Sequence, residues 1–251
     1  MSGHSKWSSI KHKKGAADAK RGQLFSKLSR AIIVAAKEGG PDPDGNLALQ
    51  NAIEKARSYS RPKENIERAI AKGSGADADA SSFETVVYEG YGPEGVAVLV
   101  EAVTDNRNRT ASEVRHAFTK HGGNLGTTGA VAWQFERRGV VLVASDSADE
   151  DALVLTAAEA GADDVELDGS SFVVTCAPES LSEVRRALAD AGFSVESVEL
   201  AMVPKTTVAV SDESIARRIV KLVEGLEETE DVQDVYANFD IPEAVLEAVA
   251  S

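Results

Sequence analysis

The sequence predicts an α+β protein: an N-terminal three-helix bundle followed by two α/β domains with ferredoxin-like order, one inserted in the other. Three observations predict it. Apolar residues recur at helical spacing up to residue 72, and in short strand-like runs alternating with helical ones after residue 83. A stretch of Gly, Ala, Asp and Ser without periodicity, residues 73–82, separates the two regimes. Residues 139–203 then repeat strand and helix patterns in the order βαββαβ. At 251 residues the chain exceeds one average core, and 43% hydrophobic content with only 7 Pro points to folded protein.

The first helix is carried by Leu24, Leu28, Ile32 and Ala36, with Phe25 alongside, and Gly39-Gly40-Pro41 ends it. Lys13, Lys20, Lys27, Arg30 and Lys37 fall roughly on its opposite side. A second helix over about 46–58 uses Leu49, Ile53 and Ala56 as its inner face. Pro62 suits the first turn of a third, with Ile66, Ala69 and Ile70 inward and Gly73 as its stop. Strands over 84–88 and 96–103 flank a turn-rich loop at 90–95. Thr110 and Glu113 have capping-box spacing for a helix that closes at His121-Gly122-Gly123. Residues 130–135 read as the next strand. Beyond the inserted unit, a strand at 206–210, a helix at 212–226 and a strand at 232–236 are expected to complete the sheet begun at residue 84. The domains are therefore expected at 1–75, at 83–138 plus 204–251, and at 139–203.

Charge is divided along the same boundary. Residues 1–75 hold 15 of the 27 Lys and Arg against 7 Asp and Glu, a local charge of +8. The remaining 176 residues carry −22, which gives the chain its net −14. Phosphate repels an acidic body, so a basic end kept against that trend implies a polyanionic partner. Much of that charge lies in one opening run, Gly3-His4-Ser5-Lys6-Trp7-Ser8-Ser9-Ile10-Lys11-His12-Lys13-Lys14. A solubilising tail would need no Trp or His among its cations. Lys6, Lys11, Lys13, Lys14, Lys20, Arg21, Lys27 and Arg30 are expected to neutralise phosphates, while Trp7, His4 and His12 stack on bases or order the arm.

Other chemistry is poorly supported. Cys176, the one cysteine, sits in an apolar strand-like run, which excludes an internal disulfide and fits a buried side chain better than a nucleophile. His116 and His121 are five apart and do not share a helix face as a metal pair would. The glycines of 122–129 follow a helix and precede a strand, the reverse of a phosphate loop. Arg107 and Arg109, in Asp105-Asn106-Arg107-Asn108-Arg109, form a second-tier binding candidate whose competing reading is local pairing with carboxylates. No Ser/His/Asp or Cys/His constellation emerges, so no enzyme, cofactor, metal or small-molecule substrate is expected. No apolar run approaches the ~20 residues of a membrane span, and the start lacks a signal-peptide core; a cytoplasmic protein is expected.

Several motifs carry a family resemblance. Gly3-His4-Ser5-Lys6-Trp7, Ile10-Lys11-His12-Lys13, Asp18-Ala19-Lys20-Arg21-Gly22 and Phe25-Ser26-Lys27-Leu28 resemble the opening of YebC-family proteins. So do Tyr88-Glu89-Gly90-Tyr91-Gly92-Pro93, the 105–110 segment and Gly122-Gly123-Asn124-Leu125-Gly126. The resemblance runs nearly end to end. It implies a helical N-terminal domain and two α/β domains, one inserted in the other. Family members are usually described as probable transcriptional regulators that bind DNA. The mitochondrial branch is a translational activator of cytochrome c oxidase, and bacterial members are linked to ribosomes stalled on proline-rich stretches.

The expected partner is thus nucleic acid, either ribosomal RNA, with the ribosome itself, or DNA. A helix–turn–helix drawn from the second and third helices would place Asn65, Arg68 and Lys72 toward a groove, but Glu64 and Glu67 would repel the backbone. Arms mixing aromatics with cations suit structured RNA. Rival classes are a protein-interaction module with a solubilising arm and, less favoured, a nuclease or RNA-modifying enzyme.

Overall fold

The computed structural model describes residues 18–76 and 83–250. Three helices form the N-terminal bundle: α1 (Asp18–Gly39), α2 (Leu47–Ser58) and α3 (Lys63–Ala71). Leu28, Ile32, Ala36, Leu49, Ile53, Ala56, Ile66 and Ala69 meet in its core, as the apolar spacing predicts. Asn46 sets the α1–α2 corner. Its Oδ1 accepts from the amide of Leu49 at 3.1 Å, and its Nδ2 donates to the carbonyls of Ala35 at 2.7 Å and Gly40 at 2.8 Å. The third helix does not stop at Gly73; a π-helical turn, Lys72–Ala76, prolongs it to Gly75, whose φ of 98° suits glycine. Gly73 lies against α1: a Cβ there would stand 2.3 Å from the carbonyl oxygen of Ile33. Residues 77–82, expected as linker, lie outside the described part.

Two four-stranded sheets follow. The first has the order β3-β1-β2-β9, with β1 (Glu84–Tyr91), β2 (Ala97–Thr104), β3 (Asn124–Leu125) and β9 (Val232–Ala237). Its helices are α4 (Arg107–Lys120), α7 (Glu213–Glu227) and α8 (Glu243–Ala250). The second has the order β5-β6-β4-β7, with β4 (Phe135–Ala144), β5 (Ala162–Asp168), β6 (Ser171–Cys176) and β7 (Val195–Pro204), all neighbours antiparallel. With α5 (Glu150–Glu159) and α6 (Leu181–Asp190) it is the βαββαβ unit read from the sequence.

The burial pattern stacks these elements. Val98, Val100 and Ala102 of β2 face α4 and α7, whereas Ala97 and Leu99 face the other sheet. Likewise Val141 and Val143 of β4 face α5 and α6, while Val140 and Leu142 meet Leu99 and Tyr236. The result is four layers, helix–sheet–sheet–helix, whose central interface is apolar.

Three local expectations are corrected. Residues 132–134 form a 3-10 turn rather than a strand; the strand begins at Phe135 and runs unbroken to Ala144. Thr110 does not cap α4. Asn106 does, its side chain accepting from the amide of Arg109 at 3.1 Å, and Thr110 is buried one turn inside. Of the closing segments, β9 pairs with β2 and so joins the first sheet. The other, β8 (Val208–Ala209), instead forms a separate parallel pair with β10 (Phe239–Asp240).

Candidate nucleic-acid interface

The basic side of α1 was expected to face phosphate. In the structure much of it faces the acidic loop that follows α7. Gln23, Lys27 and Arg30 stand at i, i+4 and i+7, one stripe of the helix. Gln23 donates to the carbonyl of Glu228 at 2.8 Å, Lys27 to that of Glu227 at 2.5 Å and Arg30 to that of Glu230 at 3.1 Å. The Glu227 and Glu228 carbonyls lie at the C-terminal end of α7, where a cation is favoured. Arg30 also pairs with the Glu230 carboxylate, and its Nη1 donates to Oδ1 of Asp231 at 2.9 Å. Lys27 and Arg30 are thus turned inward because carbonyl and carboxylate acceptors lie within reach there.

Asp231 organises that junction. Its side chain is 2% exposed. Oδ2 accepts from Arg109 Nη2 at 2.7 Å, from the Thr110 hydroxyl at 2.7 Å and from the Thr104 hydroxyl at 3.1 Å, while Oδ1 takes Arg30. One carboxylate therefore joins α1, β2 and the start of α4. Burial works to raise its pKa, but the bonds from Arg109 and Thr110 outweigh burial and hold it below the usual carboxylate range.

The segment at 105–109 follows the local reading. Arg107 forms a two-pronged pair with Glu84 at 2.6 and 2.5 Å. Arg109 bridges Asp105 and Asp231. Both guanidiniums are already matched to carboxylates. Two further contacts hold the bundle in place: Lys55 Nζ lies 2.6 Å from Oδ1 of Asp234, and Arg185 on α6 lies 3.7 Å from Glu54. Burial works to lower the pKa of Lys55, and the charges of Asp234 and Glu199 reverse that, raising it.

Of the other expected phosphate ligands, Lys20 and Arg21 lie in the first turn of α1. Lys6, Trp7, Lys11, His12, Lys13 and Lys14, with His4, lie outside the described residues. On α3, Arg68 is exposed and 3.4 Å from Asn65, while exposed Lys63 lies 3.6 Å from Glu67. Cys176 is buried in β6, and burial first of all pushes its thiol up to about 11, so it stays protonated. Among the described residues no cluster of His, Cys, Asp and Glu could hold a metal ion, and no helix is long and apolar enough to cross a membrane.

Sequence reasoning missed two carboxylates. Asp231 reads as part of a solvated acidic run; the only signal of its role is its place directly before the buried Val232 and Val235 of β9. Glu89, 4% exposed on β1, accepts the amides of Gly129 at 2.6 Å and of Val131 and Ala132 at 2.7 Å each. It fixes the glycine-rich turn. Burial works to raise its pKa, but the three amides lower it on balance. Glu89→Gln would set an amide donor against those N–H groups, an expected cost of about 2 kcal/mol in urea denaturation at neutral pH. Since the folded carboxyl titrates lower, that difference should shrink as pH falls through the carboxylate range.

Fold and charge define a three-part protein: a basic helical domain seated by ion pairs on an acidic double-sheet body. Family models place it. Residues 5–76 match the TACO1/YebC protein N-terminal domain, and residues 83–239 match the TACO1/YebC second and third domain. The chain belongs to the TACO1/YebC family. Among its relatives, proteins called "Probable transcriptional regulatory protein" from Rubrobacter xylanophilus and Dictyoglomus turgidum are 57% and 53% identical, each over 100% of both chains. The crystal structure of a conserved hypothetical protein from Aquifex aeolicus, 50% identical, superposes with a TM-score of 0.79 over 90% of this chain and 92% of that one.

Proposed function

We propose that this chain is a non-enzymatic, nucleic-acid-binding regulator of gene expression, acting through its basic N-terminal end on RNA and the ribosome as a translation factor. One observation carries the reading: residues 1–21 contain six Lys and Arg against one Asp, with Trp7, His4 and His12 among them. The structure supports giving the task to that segment. Lys27, Arg30, Lys37, Lys55 and Arg61 all donate to protein acceptors, so much of the bundle's charge is spent on holding the molecule together. Lys6, Lys11, Lys13, Lys14, Lys20 and Arg21 would neutralise phosphates, and Trp7 and His12 would stack on unpaired bases.

The name carried by the relatives favours a second reading, a DNA-binding transcriptional regulator. For that role α2 and α3 offer two helices joined by a short turn, but Lys63 is paired with Glu67 and Glu64 stands beside it. Titrations of purified ribosomal RNA and of duplex DNA at several salt concentrations separate the two. Tighter binding to ribosomal RNA is expected. Tight, sequence-selective duplex binding with weak ribosomal RNA association would overturn the RNA reading.

A further inference from the structure

We propose that the outer face of the α4–α7 pair is a second phosphate-binding surface, where Lys120, Arg217, Arg218 and Lys221 grip the backbone of the RNA held by the N-terminal segment. The inference rests on the nucleic-acid reading above and adds a site on the acidic body. That body carries 12 Lys and Arg among 34 Asp and Glu after residue 75. Arg107, Arg109, Arg138 and Arg185 are ion-paired. Four of the remaining eight converge on two neighbouring helices. Lys120, Arg217, Arg218 and Lys221 are all exposed, and among the described residues none has an ion-pair partner, although Glu213 and Glu224 share α7 with three of them.

Side-chain placement joins these cations into one patch. Arg218 reaches across to the end of α4, where a Cβ on Gly122 would stand 2.2 Å from its Nη2. The φ of 80° at Gly122 turns the chain there. The His121 ring lies on α7, with Nε2 3.0 Å from where a Cβ on Gly225 would be. Burial first, then the charges of Lys120, Lys221 and His116, lower the pKa of that imidazole, so all three share its surroundings. Four exposed cations without ion-pair partners among the described residues therefore stand together at one end of a strongly negative body, which a solvated helix face does not require.

The patch also adjoins the N-terminal domain. A cleft lined by His116, Lys120 and His121 together with Glu113, Glu228 and Glu230 adjoins it. Glu228 is the residue whose carbonyl receives Gln23 of α1. Gln23 lies five residues into α1, about 7 Å from its start at 1.5 Å per residue. An RNA strand engaged at the beginning of α1 can thus continue over the end of α7 onto Lys221 and Arg218.

The test compares the full-length protein, the triple variant Lys120→Gln/Arg218→Gln/Lys221→Gln and a control, Arg137→Gln/Arg186→Gln/Lys205→Gln. The control removes the same charge from exposed sites elsewhere. Affinity for purified ribosomal RNA is measured against salt concentration, with circular dichroism verifying the fold. The patch variant should bind roughly tenfold or more weakly, and its slope of log affinity against log salt should be shallower by about 2–3, at 0.7–0.9 per lost phosphate contact. The control should keep the parent's slope. A patch variant that matches the parent, or a control that loses as much, overturns the second surface while leaving the proposed function standing. A parent with no salt-dependent RNA binding overturns both.

Discussion

Replacing Asp231 by alanine is expected to destabilise the protein by about 3–5 kcal/mol, the cost of removing one member of a buried ion pair. The loss is large because four donors converge on that carboxylate from three elements. Arg30 comes from α1, Thr104 from β2, and Arg109 and Thr110 from α4. The hydroxyls of Thr104 and Thr110 are buried and would lose their shared acceptor, keeping each other and the amide and carbonyl of Asn106. Glu230→Ala is the contrast: its side chain is 66% exposed, so the change should cost under about 1 kcal/mol even though it also pairs with Arg30. Urea denaturation followed by circular dichroism checks both. A cost under about 1 kcal/mol for Asp231→Ala would contradict the role given to it. The pH sign follows from the lowered folded pKa. Stability supplied by the Asp231 carboxylate is complete above its unfolded pKa of about 3.9 and is lost as pH falls through the folded value. The gap between parent and variant should therefore narrow in acid.

Deleting residues 2–14 is expected to remove most of the affinity for nucleic acid. The deletion takes away Lys6, Lys11, Lys13 and Lys14, four of the six cations assigned to phosphate, together with Trp7 and His12. On ribosomal RNA the slope of log affinity against log salt should become shallower by about 3–4, since each phosphate contact contributes roughly 0.7–0.9. Urea denaturation of the shortened protein checks that the bundle, held to the body by Gln23, Lys27 and Arg30, still folds. An unaltered slope would favour the rival in which the acidic domains dock a protein partner and the basic run only aids solubility.

Local signals made much of the fold legible. In α2, Leu49, Ile53 and Ala56 recur at helical spacing and define the inner face, and the structure buries all three. The βαββαβ order is likewise written in consecutive elements. Misreadings occur where a distant carboxylate wins over local pattern. Val131, Trp133 and Phe135 alternate as a strand would, yet Glu89, some forty residues earlier, captures the amides of Val131 and Ala132 and leaves a 3-10 turn with Trp133 68% exposed. Thr110 has the spacing of a cap, but Asp231 and Thr104 draw its hydroxyl into the core and Asn106 takes the cap.

The same limit applies to the interface. A helical wheel places Lys27 and Arg30 on a basic face, but their acceptors lie about 200 residues away in a loop that reads as solvated acid. One clue was available in the stripe itself: Gln23, which is uncharged, shares it with Lys27 and Arg30. A stripe made only for phosphate has less use for an amide than one that bonds main-chain carbonyls. The concentration of cations before residue 22 needed no structure to see, because charge counts do not depend on the fold.

The most direct test of the central claim is cosedimentation with ribosomes from lysate, comparing the full-length chain with the 2–14 deletion at physiological salt. The account predicts that the intact protein travels with ribosomes and that the shortened one stays in the supernatant. Equal ribosome association of the two, or none by either, would contradict it.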